Sequence, residues 1–438
     1  MSPTADARGA LFADDFSTSP YWQEASPRAA APAGQPLPGK VDVLVVGSGY
    51  TGLHAALVTA RAGRSTLVLE RDGAGEGCST RNGGQISTSV KPSYAELCRR
   101  HGPDTARAIL MEGREALRWI GEFIRQEGIE CGFAVCGRFH AAHSPRAFEA
   151  LRRDAAGQTP GLEVEMEIVP RAEQHREIGT EAYHGGVLLP RHAALDPGRY
   201  HAGLLARVAA AGATVVERCP AVAVERQGAG FLVTTPRGRV AARDVVVATN
   251  GYTGRLTPWL RRRVIPIGSY MIATEPMPPE TMLTVIPRGR VVSDTRKVVY
   301  YYRLSPDGRR MLFGGRVSHA ETDPRVSAPP LHAEMARLFP QLGRARISHS
   351  WMGFVAYTFD TLAHCGIHEG MHYAMGYCGS GVSMASYLGM RTGQKVLGLK
   401  EGRTGFDGAA FQTRPFYHGN PWFLGMAVRY YRWRDALS

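Results

Sequence analysis

The sequence predicts an α/β protein: a doubly wound, Rossmann-like domain into which a smaller α+β domain, built on an antiparallel sheet, is inserted. Three observations predict it. An apolar run over residues 41–46 feeds a glycine turn, a helix-period segment and a second apolar run over 67–69. Two more segments with apolar runs and small-residue turns lie far downstream, at 244–251 and 375–385. Between these, residues 269–274, 297–304 and 311–315 are alternating or β-branched, the pattern of strands with one covered face.

The first element is the most specific. Its turn reads Gly47-Ser48-Gly49-Tyr50-Thr51-Gly52. Glycines there let the backbone turn tightly and approach a pyrophosphate, whose charge the N-terminus of the next helix favours. That helix carries Leu53, Ala56, Leu57 and Ala60 on one face. The second strand ends at Glu70, followed by Arg71. A carboxylate at this point accepts hydrogen bonds from the ribose hydroxyls of an adenosine half. Strand, turn, helix, strand and acid in this order predict dinucleotide binding; the alternative is a glycine-rich turn in another doubly wound fold. A simple NAD domain would now continue into another helix and strand. Here the chain inserts a loop with Ser79, Thr80, Arg81, Asn82, Gly83, Gly84 and Gln85. Such a loop can follow an extended cofactor beyond its pyrophosphate, although glycine-rich stretches also occur as mobile surface loops.

The glycine turn, the acid and the Ser-x-Arg-Asn-Gly-Gly-Gln stretch together resemble the D-amino-acid oxidase superfamily of FAD enzymes. Residues 81–85, Ser269-Tyr270-Met271-Ile272-Ala273-Thr274-Glu275-Pro276, Tyr357-Thr358-Phe359-Asp360 and Met375-Gly376-Tyr377-Cys378-Gly379-Ser380-Gly381 are similar to its gamma-glutamylputrescine oxidase-like branch. The resemblance runs from about Ser19 to the C-terminus and implies bound FAD. It implies that Thr249, Asn250 and Gly251 close a second cofactor strand and that Ala221 and Val222 join the cofactor site. It further implies that Gly379, Ser380, Gly381, Val382, Ser383 and Met384 bring backbone N–H groups and a helix N-terminus to the flavin's pyrimidine end, where negative charge collects on reduction.

Because the cofactor motifs sit at the start, middle and end, the FAD domain is expected to be discontinuous, over residues 38–97, 183–255 and 349–402. Residues 98–182 and 256–348 then form the substrate domain, opening with a helix over 105–127 that places Ile109, Ala116, Ile120 and Phe123 on one face. Residues 1–37 read as a lead-in and 403–438 as a basic, aromatic tail docked on the core. The composition, 44% hydrophobic and 21% charged, is that of an ordinary globular protein. No apolar run approaches the length of a membrane helix and no signal peptide is evident, so the expected location is cytoplasmic. Seven cysteines at irregular spacing predict reduced thiols, and no His/Cys cluster has metal-ligand spacing. The net charge of +13 comes almost wholly from scattered arginines. This reads as solvated surface, with an anionic substrate or membrane surface as the alternative; no nucleic-acid-binding signature accompanies it.

In the superfamily a hydride passes from the carbon next to an amine nitrogen to flavin N5, and the imine then hydrolyses in water. Relatives that oxidise amino acids hold the substrate carboxylate with an arginine in the strand before the last glycine loop. The matching segment here, residues 351–358, has none, and neither does the final loop. The expected substrate is therefore an amine or N-substituted amine, with Tyr270, Tyr302, Trp351 and Tyr357 as the residues expected at the reacting end and Tyr252 as a further lining residue. Arg303 and Arg316 are candidates for a remote carboxylate. The cysteine and histidine that attach flavin covalently in some relatives are replaced by residues within 354–357 and 80–82, so FAD is expected to be non-covalent. The lysine that helps some relatives activate oxygen is absent from 311–315, which leaves oxygen or a quinone as acceptor. The alternatives are an amino-acid oxidase or dehydrogenase of the same superfamily, an FAD-dependent tRNA-modifying enzyme, and a non-catalytic flavoprotein.

Overall fold

A computed structural model describes residues 11–25, 36–88, 90–316 and 322–437. Lys40–Val46 lies inside an eight-stranded sheet, between the parallel strands Gly238–Val247 and Thr66–Leu69. Thr214–Val216 extends it beyond Thr66–Leu69, also in parallel. Val43, Leu44 and Val45 are wholly buried, as a strand covered on both faces must be, which explains its unbroken apolar run. Ala223–Gln227 and Gly230–Thr235 meander off Gly238–Val247, and Met371–Met375 pairs in parallel with its end. Helices Tyr50–Arg61 and Gly381–Val396 pack against each other, and Pro103–Gln126 packs on the latter. That third helix buries Ala106, Ile109, Ala116 and Ile120 completely, along the expected stripe.

The second sheet has nine strands, in the order Phe12–Ser17, Ile347–Tyr357, Ile265–Thr274, Met311–Gly315, Tyr301–Leu304, Val291–Asp294, Arg138–Ala141, Gly186–Leu189 and Glu167–Val169. It is mixed where an antiparallel sheet was expected: Phe12–Ser17 runs parallel to Ile347–Tyr357, and Val291–Asp294 parallel to Arg138–Ala141. One face buries Tyr270, Ile272, Tyr302 and Phe313 against Met335, Leu338 and Phe339, from and just after helix Pro324–Leu338. The other carries Met271, Leu312 and Trp351.

Several segments join a different unit from the one expected. Within 1–37, residues 12–17 form an edge strand and Trp22, on helix Tyr21–Ala25, is fully buried; the stretch 26–35 lies outside the described residues. Gly186–Leu189 and most of Ile347–Tyr357, assigned by sequence to the FAD domain, hydrogen-bond into the nine-stranded sheet. The tail forms helix Leu424–Leu437, whose Asp435 carboxylate accepts from the backbone N–H groups of Lys297 (2.9 Å) and Val298 (3.1 Å). Arg432 donates to the Arg316 carbonyl. Leu424 and Val428 are buried, while Trp422, Met426, Tyr430 and Trp433 remain exposed. Among the described residues no helix is long and apolar enough to cross a membrane.

Candidate active site

The glycine turn is built on close backbone approach. Gly47 sits at φ +103°, and a Cβ on Gly52 would collide with the Gly47 carbonyl oxygen. Helix Tyr50–Arg61 starts here with no side-chain cap. The Glu70 carboxylate points back to the turn and accepts from the Ser48 N–H (2.9 Å), the Ser48 hydroxyl (2.7 Å) and the Asp72 N–H (3.1 Å). Arg71 is paired with Asp72 at the surface. The Cys219 N–H donates to the Glu70 carbonyl, which draws residues 219–222 alongside; Ala221 is half-buried there and Val222 is 55% exposed. His201, which the sequence did not single out, places Nε2 2.8 Å from the Ser48 carbonyl.

The loop of residues 79–85 is held from all sides. The Ser79 hydroxyl accepts from the Tyr50 N–H (3.0 Å), and Thr80 donates to the Gly75 carbonyl. The Asn82 amide donates to the Cys78 and Ser79 carbonyls and accepts from the Gly84 N–H (2.8 Å). Arg81 donates to the Glu76 and Met352 carbonyls, and Gln85 to those of Val292 and Tyr302. Two indoles brace the loop: Trp351 donates to the Arg81 carbonyl (2.9 Å) and Trp22 to that of Asn82 (2.8 Å). Trp351 is thus a wholly buried support rather than an open lining residue.

The pleat of the nine-stranded sheet sorts the aromatic candidates. Tyr302 stacks on Phe313 and reaches the Tyr183 hydroxyl, while Tyr270 accepts from the Thr322 N–H; both project into the core away from the loop. Tyr301, one residue from Tyr302, takes the opposite face. Its ring lies 3.1 Å from where a Cβ on Gly83 would be, and its hydroxyl meets that of Ser269 at 2.8 Å. The side chain the sequence reading needed here is therefore Tyr301, not Tyr302 or Tyr270. Tyr252 lies beside Gly77 and accepts from the Phe354 N–H (3.3 Å).

The last loop closes the site. Asn250, at φ +42°, accepts from the Gly376 N–H (2.9 Å), and the Thr51 and Tyr377 hydroxyls meet at 2.6 Å. Thr249 and Gly251 flank Asn250 in the same turn. Cys378 and Gly379 follow with φ of +50° and +96°, and Ser380 leads into helix Gly381–Val396, where Val382, Ser383 and Met384 are buried. A Cβ on Gly379 would lie 3.9 Å from the Tyr357 hydroxyl and 4.0 Å from Lys91 Nζ, so these two groups meet at the loop. Burial raises the Tyr357 phenol, pushes Tyr301 up to about 12, and pushes the Cys78 and Cys378 thiols up to about 11. It lowers the Lys91 ammonium. Arg303 donates to the Leu195 and Leu304 carbonyls and Arg316 to that of Gly268, so both guanidiniums are engaged with backbone. Among the described residues no group of three His, Cys, Asp or Glu is placed to hold a metal.

The family model described as FAD dependent oxidoreductase (DAO) matches residues 42–394. The chain is 30% identical over 405 residues to the gamma-glutamylputrescine oxidoreductase of Escherichia coli (strain K12), covering 91% of this chain and 93% of that protein. It is likewise 30% identical over 411 residues to the probable oxidoreductase OrdL of Rhizobium meliloti (strain 1021), covering 92% and 94%. Its fold matches the crystal structure of glycine oxidase from Geobacillus kaustophilus with a TM-score of 0.71 at 20% identity, over 86% of this chain and 99% of that one. The chain belongs to the DAO family of FAD-dependent oxidoreductases.

Proposed function

We propose that this protein oxidises the C–N bond of an amine or N-substituted amine to an imine, with non-covalently held FAD as the immediate oxidant. The residues present fit that cofactor. Gly47, Gly49, Tyr50, Thr51 and Gly52 would hold its pyrophosphate, and Glu70 its adenosine ribose. Arg71, Ala221 and Val222 flank the adenosine end. Residues 79–85 and the Thr249–Asn250–Gly251 turn would line the flavin half, with 379–384 at its pyrimidine end. A Cβ on Gly381 would meet nothing within 4 Å, so the head of helix Gly381–Val396 opens onto free space where an anionic group fits. FAD supplies one thing when bound: it accepts the hydride from the carbon next to nitrogen.

The chain's own part is to hold the amine neutral and in line. The observation that carries the reading is the face holding Tyr301 and Tyr357, which presents phenols that stay protonated at neutral pH, while Arg303 on the same face is engaged by the Leu195 and Leu304 carbonyls. Desolvation there disfavours an ammonium and leaves the nitrogen lone pair available to the developing iminium. No general base is needed. Cys78 and Cys378, the thiols at the site, are held protonated by burial, which makes them poor nucleophiles toward a flavin ring. The likeness to gamma-glutamylputrescine oxidoreductase supports an N-acylated diamine as donor, with oxygen or a quinone as the final acceptor.

Two readouts test this. Acid precipitation of the yellow holoprotein is expected to release all flavin into the supernatant; flavin kept in the pellet contradicts non-covalent binding. Incubation with gamma-glutamylputrescine and an acceptor is expected to yield an aldehyde trapped as its hydrazone. No aldehyde from this or any other amine contradicts the assigned reaction.

A further inference from the structure

Arg138 and His140 alternate with the buried Phe139 on strand Arg138–Ala141, so they share the face that bears Tyr301. The register fixes this: Tyr301 pairs with Ser293, and Ser293 with His140, across three adjacent strands. The His140 Nδ1 meets the Ser293 hydroxyl at 3.0 Å. The chain leaving Gly83 crosses this face. Gln85–Ile86 pairs with Ala193–Ala194, the Thr88 hydroxyl lies 3.3 Å from His192 Nε2, and Lys91 follows beside Gly379. Lys91, Arg138, His140 and His192 therefore gather at one end of the site.

Among the described residues Arg138 and Lys91 form no ion pair, and Arg138 Nε and His192 Nδ1 are buried without a hydrogen-bond partner. The titratable groups acting most strongly on these four bases are one another, Lys297 and the thiols of Cys136 and Cys378, with no described carboxylate among them, and Ser293 hydrogen-bonds His140. A guanidinium sequestered without a counter-charge is costly, and the cost is removed when an anion binds. Arg also presents a planar fork suited to a carboxylate.

We propose that Arg138, flanked by Lys91 and His140, receives a carboxylate of the substrate several bonds away from the C–N bond that is oxidised. Two steps across the sheet from Tyr301 to His140 span about 10 Å, and Arg138, two residues along its strand, lies about 12 Å from Tyr301 between backbones. An α-amino acid is too short to place its carboxylate on Arg138 and its amine beside Tyr301. An acylated diamine ending in a carboxylate is long enough. This deepens the reading of the same site as an amine oxidase and rests on it.

The test uses the FAD-loaded protein, wild type and Arg138→Leu, mixed anaerobically with gamma-glutamylputrescine or with its analogue in which the carboxylate is a primary amide. Wild type is expected to half-saturate at 10- to 100-fold lower concentration with the carboxylate, the worth of a charge-assisted contact. Arg138→Leu is expected to erase the preference while still being reduced by the amide. Equal half-saturation of wild type by both compounds overturns the carboxylate site and leaves amine oxidation standing. Glutarate, which has no oxidisable amine, gives the independent arm through its perturbation of the flavin absorbance. It is expected to bind wild type at least ten-fold more tightly than Arg138→Leu, with Lys91→Met also weakened and glutaramide not binding. Equal glutarate affinity in all three proteins overturns the site even if no amine reduces the flavin.

Discussion

Glu70 and Tyr357 carry the two claims that single residues can test. The Glu70 carboxylate holds the glycine turn through Ser48 and is the group proposed to meet the ribose. Glu70→Ala is expected to weaken FAD binding by about 1–3 kcal/mol, the scale of a hydrogen bond to a charged group. A fluorescence titration of apoprotein measures this; a change below about two-fold would remove the ribose from Glu70. Tyr357 bears on the chemistry. Its phenol is raised by burial, so it does not ionise at working pH. The rate of flavin reduction is expected to rise with pH through one ionisation below the amine's solution pKa of about 10.4, since only the neutral amine reacts. Tyr357→Phe should keep that rise, and Lys91→Met should keep it while weakening saturation. Loss of the ionisation in Tyr357→Phe would make the tyrosine an acid–base catalyst.

At the scale of elements, helix Tyr50–Arg61 is locked to its neighbours by His54. The ring is buried, meets the Tyr200 hydroxyl at 2.8 Å and packs edge-on against Trp119 and Phe123. Burial drives its pKa down to about 3, against 6.5 when unfolded. Below pH 6.5 the unfolded chain binds the proton and the folded one does not, so stability falls with acid across that window. The loss from this one group between pH 7 and 4.5 is about 2–3 kcal/mol. Urea midpoints of wild type and His54→Gln at the two pH values measure it; equal acid sensitivity of the two proteins would contradict it. What sequence revealed also divides by element. The stretch 41–70 was legible because its strand, turn, helix and acid are contiguous and each has its own local signal. The run 297–304 was not, because Val298, Val299, Tyr300, Tyr301 and Tyr302 show no alternation. Which tyrosine faces the loop is set by pairing with Ser293 and Gly314 on the two neighbouring strands, outside the run itself. Arg138–Ala141 is too short for a periodic signal, so Arg138 and His140 passed unnoticed.

For the whole molecule, function depends on segments that meet only after folding. Residues 12–17 extend the nine-stranded sheet, Trp22 supports Asn82, and Asp435 in the last helix holds Lys297 and Val298 in the connection between the strands Val291–Asp294 and Tyr301–Leu304. Length and composition foretold more than one unit, but not that residues 12–17 would join the second sheet or that helix Leu424–Leu437 would hold one of its connections, because such contacts leave no local pattern. The proposed function turns on one event, delivery of a hydride from an amine carbon to bound FAD. Anaerobic stopped-flow mixing of the holoprotein with gamma-glutamylputrescine, other amines and simple D-amino acids, followed at the flavin absorbance, tests it most directly. The expected result is full bleaching by an amine, with a second-order rate constant of flavin reduction above that of every simple D-amino acid and of glycine. A simple D-amino acid that bleaches the flavin more efficiently than every amine would contradict it.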